Sequence, residues 1–482
     1  MMKKFKKIFA ALAASALVAA MSFTSMAATA TPIKAEFKGA ENASITVNVP
    51  KVEDGGTANN TYYVYKVFDA SHNGKEGSNN ISYKLRPNHS VQPDGFKLDK
   101  AGNVSTDKTT LDATDIENIR KYVGAENPND SKDLVAKITT VAGDETFTLS
   151  GLKYGYYYID TTTGALVTVD STTPNITVTD KNVFPTLDKK ISSVGKGSVT
   201  DDGTNALAQL GTTVSYTSMI SVGHGVVKYV FHDKMDAGLE LIANSIKIDG
   251  KSLSSSDSYE SKKVAANTIE ITFKDSYVEG KEKIIITYDA KVKAGDLTER
   301  KSAKNTAYLS YGDDESAENR TSNKVTNVYN AKLTVTKYEP STVNADGKVG
   351  LKDAGFVIKN KEEKYYLVDA NGEVSWDSDE SKATEKFSDE NGNVESFVGL
   401  ADGEYTLIEK TVPASYNKAE DVLFTVSKGN YTDGNLDKKA EVINRKGIKL
   451  PSTGGMGTTV FAIVGLLVMA GAAVTLIVKK RA

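Results

Sequence analysis

Between Thr31 and Gly447 apolar residues recur at alternate positions in short runs, punctuated by Gly, Asn, Asp and Pro. Side chains two apart share one face of a strand, so the pattern calls for strands and leaves no room for long amphipathic helices. Ser44-Ile45-Thr46-Val47-Asn48-Val49 alternates cleanly, Tyr62–Val67 does so in part, and Ile284-Ile285-Ile286-Thr287-Tyr288 is strongly β-branched. Stretches rich in Gly and Asn at 54–60 and 73–80 read as loops. Leu111–Val123 is the exception: Ile116, Ile119 and Val123 fall at helical spacing behind the early Asp115 and Glu117, which predicts one short helix. The expectation is an all-β chain of tandem immunoglobulin-like β-sandwich domains, divided at 31–183, 184–330 and 331–447.

The two ends follow other rules. Lys3, Lys4, Lys6 and Lys7 precede an apolar stretch from Ile8 to about Ala20, and small residues then recur to Ala30. Residues 1–30 are therefore expected to be a cleaved secretory signal. At the other end Val460–Val478 runs 19 residues without a charge, and Lys479, Lys480 and Arg481 follow it. That length can cross a bilayer, and the basic tail places this end in the cytoplasm. Directly before the span stands Leu450-Pro451-Ser452-Thr453-Gly454. The motif, span and tail over 448–482 together resemble the cell-wall sorting signal of Gram-positive surface proteins. The resemblance implies that a sortase attacks the Thr453 carbonyl, releases Gly454 onward, and passes the acyl group to an amine. Membrane retention through 460–478 would then be transient.

Without both ends, 52 basic side chains face 62 acidic ones. That balance argues against binding nucleic acid. The chain has no Cys and 4 His, which excludes disulfides, thiolate zinc, iron–sulfur centres and a thiol nucleophile. His72, His89, His224 and His232 stand isolated, and no Asp-x-Asp-x-Asp-Gly loop is present, so neither a cofactor nor a metal is expected. The acidic stretches Asp313-Asp314-Glu315 and Asp377–Glu380 read as solvated loops. Trp376 and the tyrosine clusters read as core and strand aromatics, with a sugar-binding platform as the alternative.

Alternation also places charged residues on inward faces. Leu333, Val335 and Lys337 share a face, as do Leu187, Lys189 and Ile191, whereas Asp188 and Lys190 point the other way. Inward partners come from Tyr405, Leu407 and Glu409; from Val442 and Asn444; from Tyr229, Phe231 and Asp233; and from Ala303, Asn305, Ala307 and Leu309. Each of these two domains thus sets an inward Lys on its first strand, an inward carboxyl group midway and an inward Asn near its end. Two readings stay open. One is a buried ion pair with a structural Asn. The other is chemistry: a desolvated amine becomes neutral and nucleophilic, and a buried carboxyl group can move the protons needed to turn Lys and Asn into an isopeptide and ammonia. Such a crosslink closes a loop of roughly 100 residues and is worth about 4–5 kcal/mol on a chain-entropy model.

These residues resemble those of the sortase-assembled fimbrial shaft proteins (pilins) of Gram-positive bacteria. The second domain is similar to their A-like collagen-adhesin module through Phe184-Pro185-Thr186-Leu187-Asp188-Lys189-Lys190, Phe231-His232-Asp233…Gly238-Leu239 and Asn305-Thr306-Ala307-Tyr308-Leu309-Ser310-Tyr311. The third is similar to the B-type module through Leu333-Thr334-Val335-Thr336-Lys337, Gly403–Pro413 and Val442–Gly447. The resemblance implies crosslinks Lys189–Asn305, promoted by Asp233, and Lys337–Asn444, promoted by Glu409. The only chemistry expected of the chain itself is this single turnover, so it is not read as an enzyme.

The first domain departs from the pattern. Gly151-Leu152-x-x-Gly155-x-Tyr157-x-Ile159 repeats Gly399-Leu400-x-x-Gly403-x-Tyr405-x-Leu407, but Thr161 stands where Glu409 would, with Asp160 one residue off. Lys51 continues the face of Ile45, Val47 and Val49, so a third bond to Asn182 is an open possibility. Shaft pilins also carry an accepting lysine in a Tyr-Pro-Lys-Asn segment before the second domain. Here Thr179-Asp180-Lys181-Asn182 stands at that place, which makes Lys181 the candidate. The implied function is a structural subunit of a covalent cell-wall-anchored pilus, partnered by sortase, further copies of itself, peptidoglycan and accessory pilins. The alternative is a monomeric anchored adhesin, or a tip or base pilin, that binds host surface ligands or glycans.

Overall fold

The computed structural model describes residues 43–447 except 53–54, 73–80, 142, 161–164, 170–173, 255, 295–301, 313–318 and 345–346. The signal segment, Leu450–Gly454, the span 460–478 and the basic tail lie outside the described residues, as does Asp313-Asp314-Glu315. Among the described residues no helix is long and apolar enough to cross a membrane. They form six sheets, packed two by two, and no sheet mixes strands from either side of 180–185 or of Asn330. The predicted helix forms over Ala113–Tyr122, where Asp112 and Asp115 complete a reciprocal capping box that satisfies the free amides of its first turn.

The first and third domains share one plan. In the third, Ala331–Pro340 pairs in parallel with the last strand Asp437–Ile443 and antiparallel with Asn393–Leu400. In the first, Ala43–Asn48 pairs in parallel with Asn175–Thr179 and antiparallel with Thr146–Leu152. The repeat seen in the sequence is the corner where the chain leaves this sheet for the facing one. Gly151 and Gly399 take φ of 71° and 77°, a region closed to most L side chains. Two positions past the next Gly, Tyr157 and Tyr405 donate their hydroxyls back to the carbonyls of Lys153 and Ala401, at 2.5 and 3.0 Å.

The second domain differs. Its five-stranded sheet runs Thr186–Val194, Thr213–Ser221, Lys283–Val292, Leu239–Ile248, Lys251–Ser252. The facing sheet carries Val230–Met235 and Ser302–Ser310 side by side at its centre. The alternation missed Leu239–Ile248 and Tyr259–Ala265. The latter is an edge strand of largely exposed Glu, Ser and Lys, the charged character that keeps an edge from pairing further.

Two junctions link the domains. Thr57 and Arg320 exchange backbone hydrogen bonds at 2.8 Å between the first and second. Between the second and third, Gln209 donates to the Val374 carbonyl (2.7 Å) and accepts from the Trp376 indole (2.6 Å), while Tyr329 stacks on Tyr431 at 4.4 Å. Trp376 therefore serves this junction. His89 and His232 are not isolated: His89 meets buried Asp133 at 2.6 Å, and His232 lies on Tyr308 with Glu270 at 3.5 Å.

The two corner glycines give a paired prediction. A methyl on Gly399 would lie 2.6 Å from Leu210 Cγ across the second junction, whereas one on Gly151 meets nothing within 4 Å. Gly151→Ala should cost about 1–2 kcal/mol from backbone strain alone. Gly399→Ala adds overpacking, for a total of about 2–5 kcal/mol. Denaturant unfolding of the two variants, read by each domain's own probe, measures the difference.

Candidate functional site: two buried lysine, carboxyl and asparagine clusters

In the third domain the clean alternation of Ala331–Pro340 turns Lys337 inward behind Ala331, Leu333 and Val335. Glu409 reaches the same point from Gly403–Thr411 in the facing sheet, and Asn444 arrives one residue past the last strand. Lys337, Glu409 and Asn444 are exposed by 0%, 2% and 1%. Lys337 Nζ lies 3.0 Å from Glu409 Oε1 and donates to Asn444 Oδ1, while Asn444 Nδ2 donates to the same Oε1 at 2.7 Å. The Ala419 amide holds the other carboxyl oxygen, Oε2, at 2.6 Å. Phe356 lies against the amine, its ring centre 5.7 Å from Nζ. Burial pulls Lys337 below the usual lysine range, with Glu409 opposing the shift. Such an amine is closer to the neutral form that can attack a carbonyl.

In the second domain Lys189 comes from the first strand, while Asp233 and Asn305 come from the opposite sheet. Asp233 pairs with Ala307 and Met235 with Asn305, so Asp233 and Asn305 are diagonal neighbours on one face. All three are 3% exposed or less. Lys189 Nζ donates to Asp233 Oδ2 and, at 2.7 Å, to the hydroxyl of Tyr288. That hydroxyl donates to Asp233 Oδ2 at 2.5 Å, and Asn305 Nδ2 lies 3.4 Å from it. Tyr288 stacks on Tyr216, its direct cross-strand partner, at 5.4 Å. Both rings lie within 5.4 Å of Lys189 Nζ. Burial lowers Lys189 and raises both phenols. Neither tyrosine was singled out from the sequence, although Ile284, Ile286 and Tyr288 alternate inward. Lys190 is exposed and pairs with Asp188 at 3.4 Å. Asn305 lies on the penultimate strand, so a Lys189–Asn305 bond would join the two sheets, whereas Lys337 and Asn444 belong to neighbouring strands of one sheet.

The first domain has no such cluster at the matching place. Val47 pairs with Val178 as Val335 pairs with Ala440, so Val49 occupies the place of Lys337 and Asn182 that of Asn444. Val49 packs against the apolar core. Lys51 does not turn inward: its strand ends at Asn48, and its side chain, 75% exposed, reaches Glu145 at 3.6 Å. Asp180 fills the gap, accepting from the Tyr62 hydroxyl at 2.8 Å and from the Asn182 amide at 3.0 Å. Between them Lys181 is exposed, on a segment fixed by Asp180 on one side and by the Val183–His224 bridge on the other. Among the described residues no group of three His, Asp or Glu could hold a metal ion.

Comparison with known families places the C-terminal third. Residues 331–440 match the prealbumin-like fold domain named SpaA, and 444–482 match the LPXTG cell wall anchor motif. The chain is a cell-wall-anchored surface protein. A comparison with curated protein sequences returned no match. Among solved structures, the T6 backbone pilin of serotype M6 Streptococcus pyogenes superposes with a TM-score of 0.51 at 16% identity, over 80% of each chain. That likeness shows a shared fold. The group B streptococcus pilus 2b backbone protein aligns at 25% identity over 51% of this chain and 97% of its own, with a TM-score of 0.41. The Corynebacterium diphtheriae major pilin SpaA aligns at 13% identity over 84% of this chain and 100% of its own, with a TM-score of 0.48. The tandem sandwiches expected from the sequence are present, and the anchored protein takes the prealbumin-like form of sandwich in its third domain.

The depressed lysine sets a pH dependence. In Asn444→Ala the Lys337 amine has no acceptor and stays free beside Glu409. The unfolded chain then binds a proton near pH 10.5 that the folded chain has already released, so stability rises as pH climbs from the folded value towards 10.5. Denaturant midpoints for the third domain of this variant should increase over that range; a flat or falling series would contradict the burial argument.

Proposed function

We propose that this anchored protein is the shaft subunit of a covalently polymerised pilus. In this reading Lys181 of one copy takes the Thr453 acyl group of the next through a sortase, and peptidoglycan receives the last. Lys337–Asn444 and Lys189–Asn305 condense to isopeptides with loss of ammonia, promoted by Glu409 and Asp233. Both reactions draw on the proximity that burial provides: Lys337, Glu409 and Asn444 touch one another directly, and Lys189, Asp233 and Asn305 converge on the Tyr288 hydroxyl.

One observation carries the shaft reading over the monomeric adhesin. Among the described residues the two clusters occur only in the domains between Lys181 and Thr453, the stretch that bears tension when copies are joined at those residues. The first domain, N-terminal to Lys181, has Val49 and Thr161 at the corresponding sequence positions and hangs outside that line. In a monomeric adhesin gripping through its far end, the first domain would carry the same load and would call for the same staple. Force in the joined fibre would run from Lys181 to Lys189, across to Asn305, on to Lys337, across to Asn444 and out at Thr453. Most of both loaded domains is bypassed.

The test is assembly in a Gram-positive host that supplies a pilin sortase. Wild-type chain should give a ladder of covalent multimers. Lys181→Arg should give wall-anchored monomer and no ladder, and peptide mapping of wild type should recover the Lys181–Thr453 branch. A ladder that survives Lys181→Arg would move the accepting amine elsewhere, and wild type that stays monomeric would favour the adhesin.

A further inference from the structure

The two clusters do not make their contacts in the same way. In the third domain Glu409 touches both reacting groups directly, amine and amide. In the second, Asp233 is one methylene shorter and no hydrogen bond joins it to Asn305: Asp233 Oδ1 and Asn305 Oδ1 are both buried without a partner, and Oδ2 is taken by Lys189 and Tyr288. The gap is filled by one hydroxyl. Tyr288 Oη contacts Lys189 Nζ at 2.7 Å, Asp233 Oδ2 at 2.5 Å and Asn305 Nδ2 at 3.4 Å. In the third domain the ring against the amine is Phe356, which has no hydroxyl to offer.

We propose that Tyr288 is a catalytic residue of the second domain's crosslink, relaying a proton from Asp233 to the departing nitrogen of Asn305. The proposal rests on the isopeptide reading above and adds a participant to it. The step balances as follows. Asp233 first takes a proton from the Lys189 ammonium, leaving a neutral amine and a neutral acid. The Nζ lone pair attacks Asn305 Cγ and the new C–N bond forms. As the Cγ–Nδ2 bond breaks, the Tyr288 hydroxyl gives its proton to Nδ2 and takes the Asp233 proton in exchange. Nζ sheds one proton to the Asp233 carboxylate, and Nδ2 leaves as ammonia. Amine and amide become a secondary amide and ammonia; Tyr288 ends as it began, and Asp233 ends as the neutral acid, the net proton being the one it first took from the Lys189 ammonium. A phenol suits this exchange because burial keeps its proton from dissociating, so it can only trade one proton for another. Tyr216 holds the ring by stacking, and its own hydroxyl also approaches Asn305, but no hydrogen bond joins that hydroxyl to Lys189 or Asp233, so only the Tyr288 hydroxyl links all three groups.

The third domain is a control inside the same molecule. Intact mass and peptide mapping of the freshly folded mature chain (31–453) should show two ammonia losses in wild type. In Tyr288→Phe the Lys337–Asn444 loss should proceed normally while the Lys189–Asn305 loss slows by about 100-fold or more, the scale of a lost acid–base group. Equal rates for Tyr288→Phe and wild type would overturn the relay and leave the crosslinks standing. Wild type that loses no ammonia would overturn the crosslinks and the relay together. Should circular dichroism show the second domain of Tyr288→Phe unfolded, fluorotyrosine at position 288 keeps the ring and the hydroxyl while changing its acidity. A shifted pH profile for the Lys189–Asn305 step then supports the relay, and an unshifted one overturns it.

Discussion

Everything distinctive in this chain depends on placing a lysine amine inside a β-sandwich. An unpaired ammonium in an apolar core is too costly to survive, so the surrounding strands must either supply partners or drive the amine neutral. The second and third domains do both at once. The carboxyl group steadies the amine, the aromatic rings exclude water, and the same desolvation that makes Lys189 and Lys337 expensive makes them nucleophilic. Two sandwiches of different topology reach this arrangement by different routes: sheet to sheet in the second domain, and neighbouring strand to neighbouring strand in the third.

The first domain shares the plan of the third without a lysine, carboxyl and asparagine cluster at the matching place. Its first and last strands pair in the same register as those of the third, and it has the tyrosine corner and even an asparagine at the acceptor position. With Val49 in place of the lysine, its closure is left to packing and to the Tyr62–Asp180–Asn182 hydrogen bonds. These bonds do a second job, since they fix the backbone on both sides of Lys181 and leave that amine facing water. On the proposed shaft reading, the domain without a lysine–asparagine cluster is the mount for the residue through which copies of the chain would be joined.

Much of this was legible in the sequence, because strand alternation is a local rule. It turned Lys189, Lys337, Glu409 and Asn444 inward, and the glycine–tyrosine repeat marked two equivalent corners. The rule failed where a strand stopped: Lys51 was read as inward only by extending the alternation past Asn48. It also could not name neighbours across a sheet. Tyr288 lies 99 residues from Lys189, and nothing short of the strand order brings the two together. Edge strands such as Tyr259–Ala265 were missed because a strand with one exposed side, kept polar against further pairing, carries little apolar signal. Sorting motif and anchor were legible for the opposite reason, since they are linear signals read by an enzyme and a membrane.

The central claim is that burial converts two lysine–asparagine pairs into covalent bonds, and the most direct test is the mass of the intact mature chain (31–453). A deficit of two ammonia masses, reduced to one by either Asp233→Ala or Glu409→Ala, is the result this account predicts. A mass equal to that of the unmodified sequence would contradict it and leave two buried ion pairs in ordinary sandwiches.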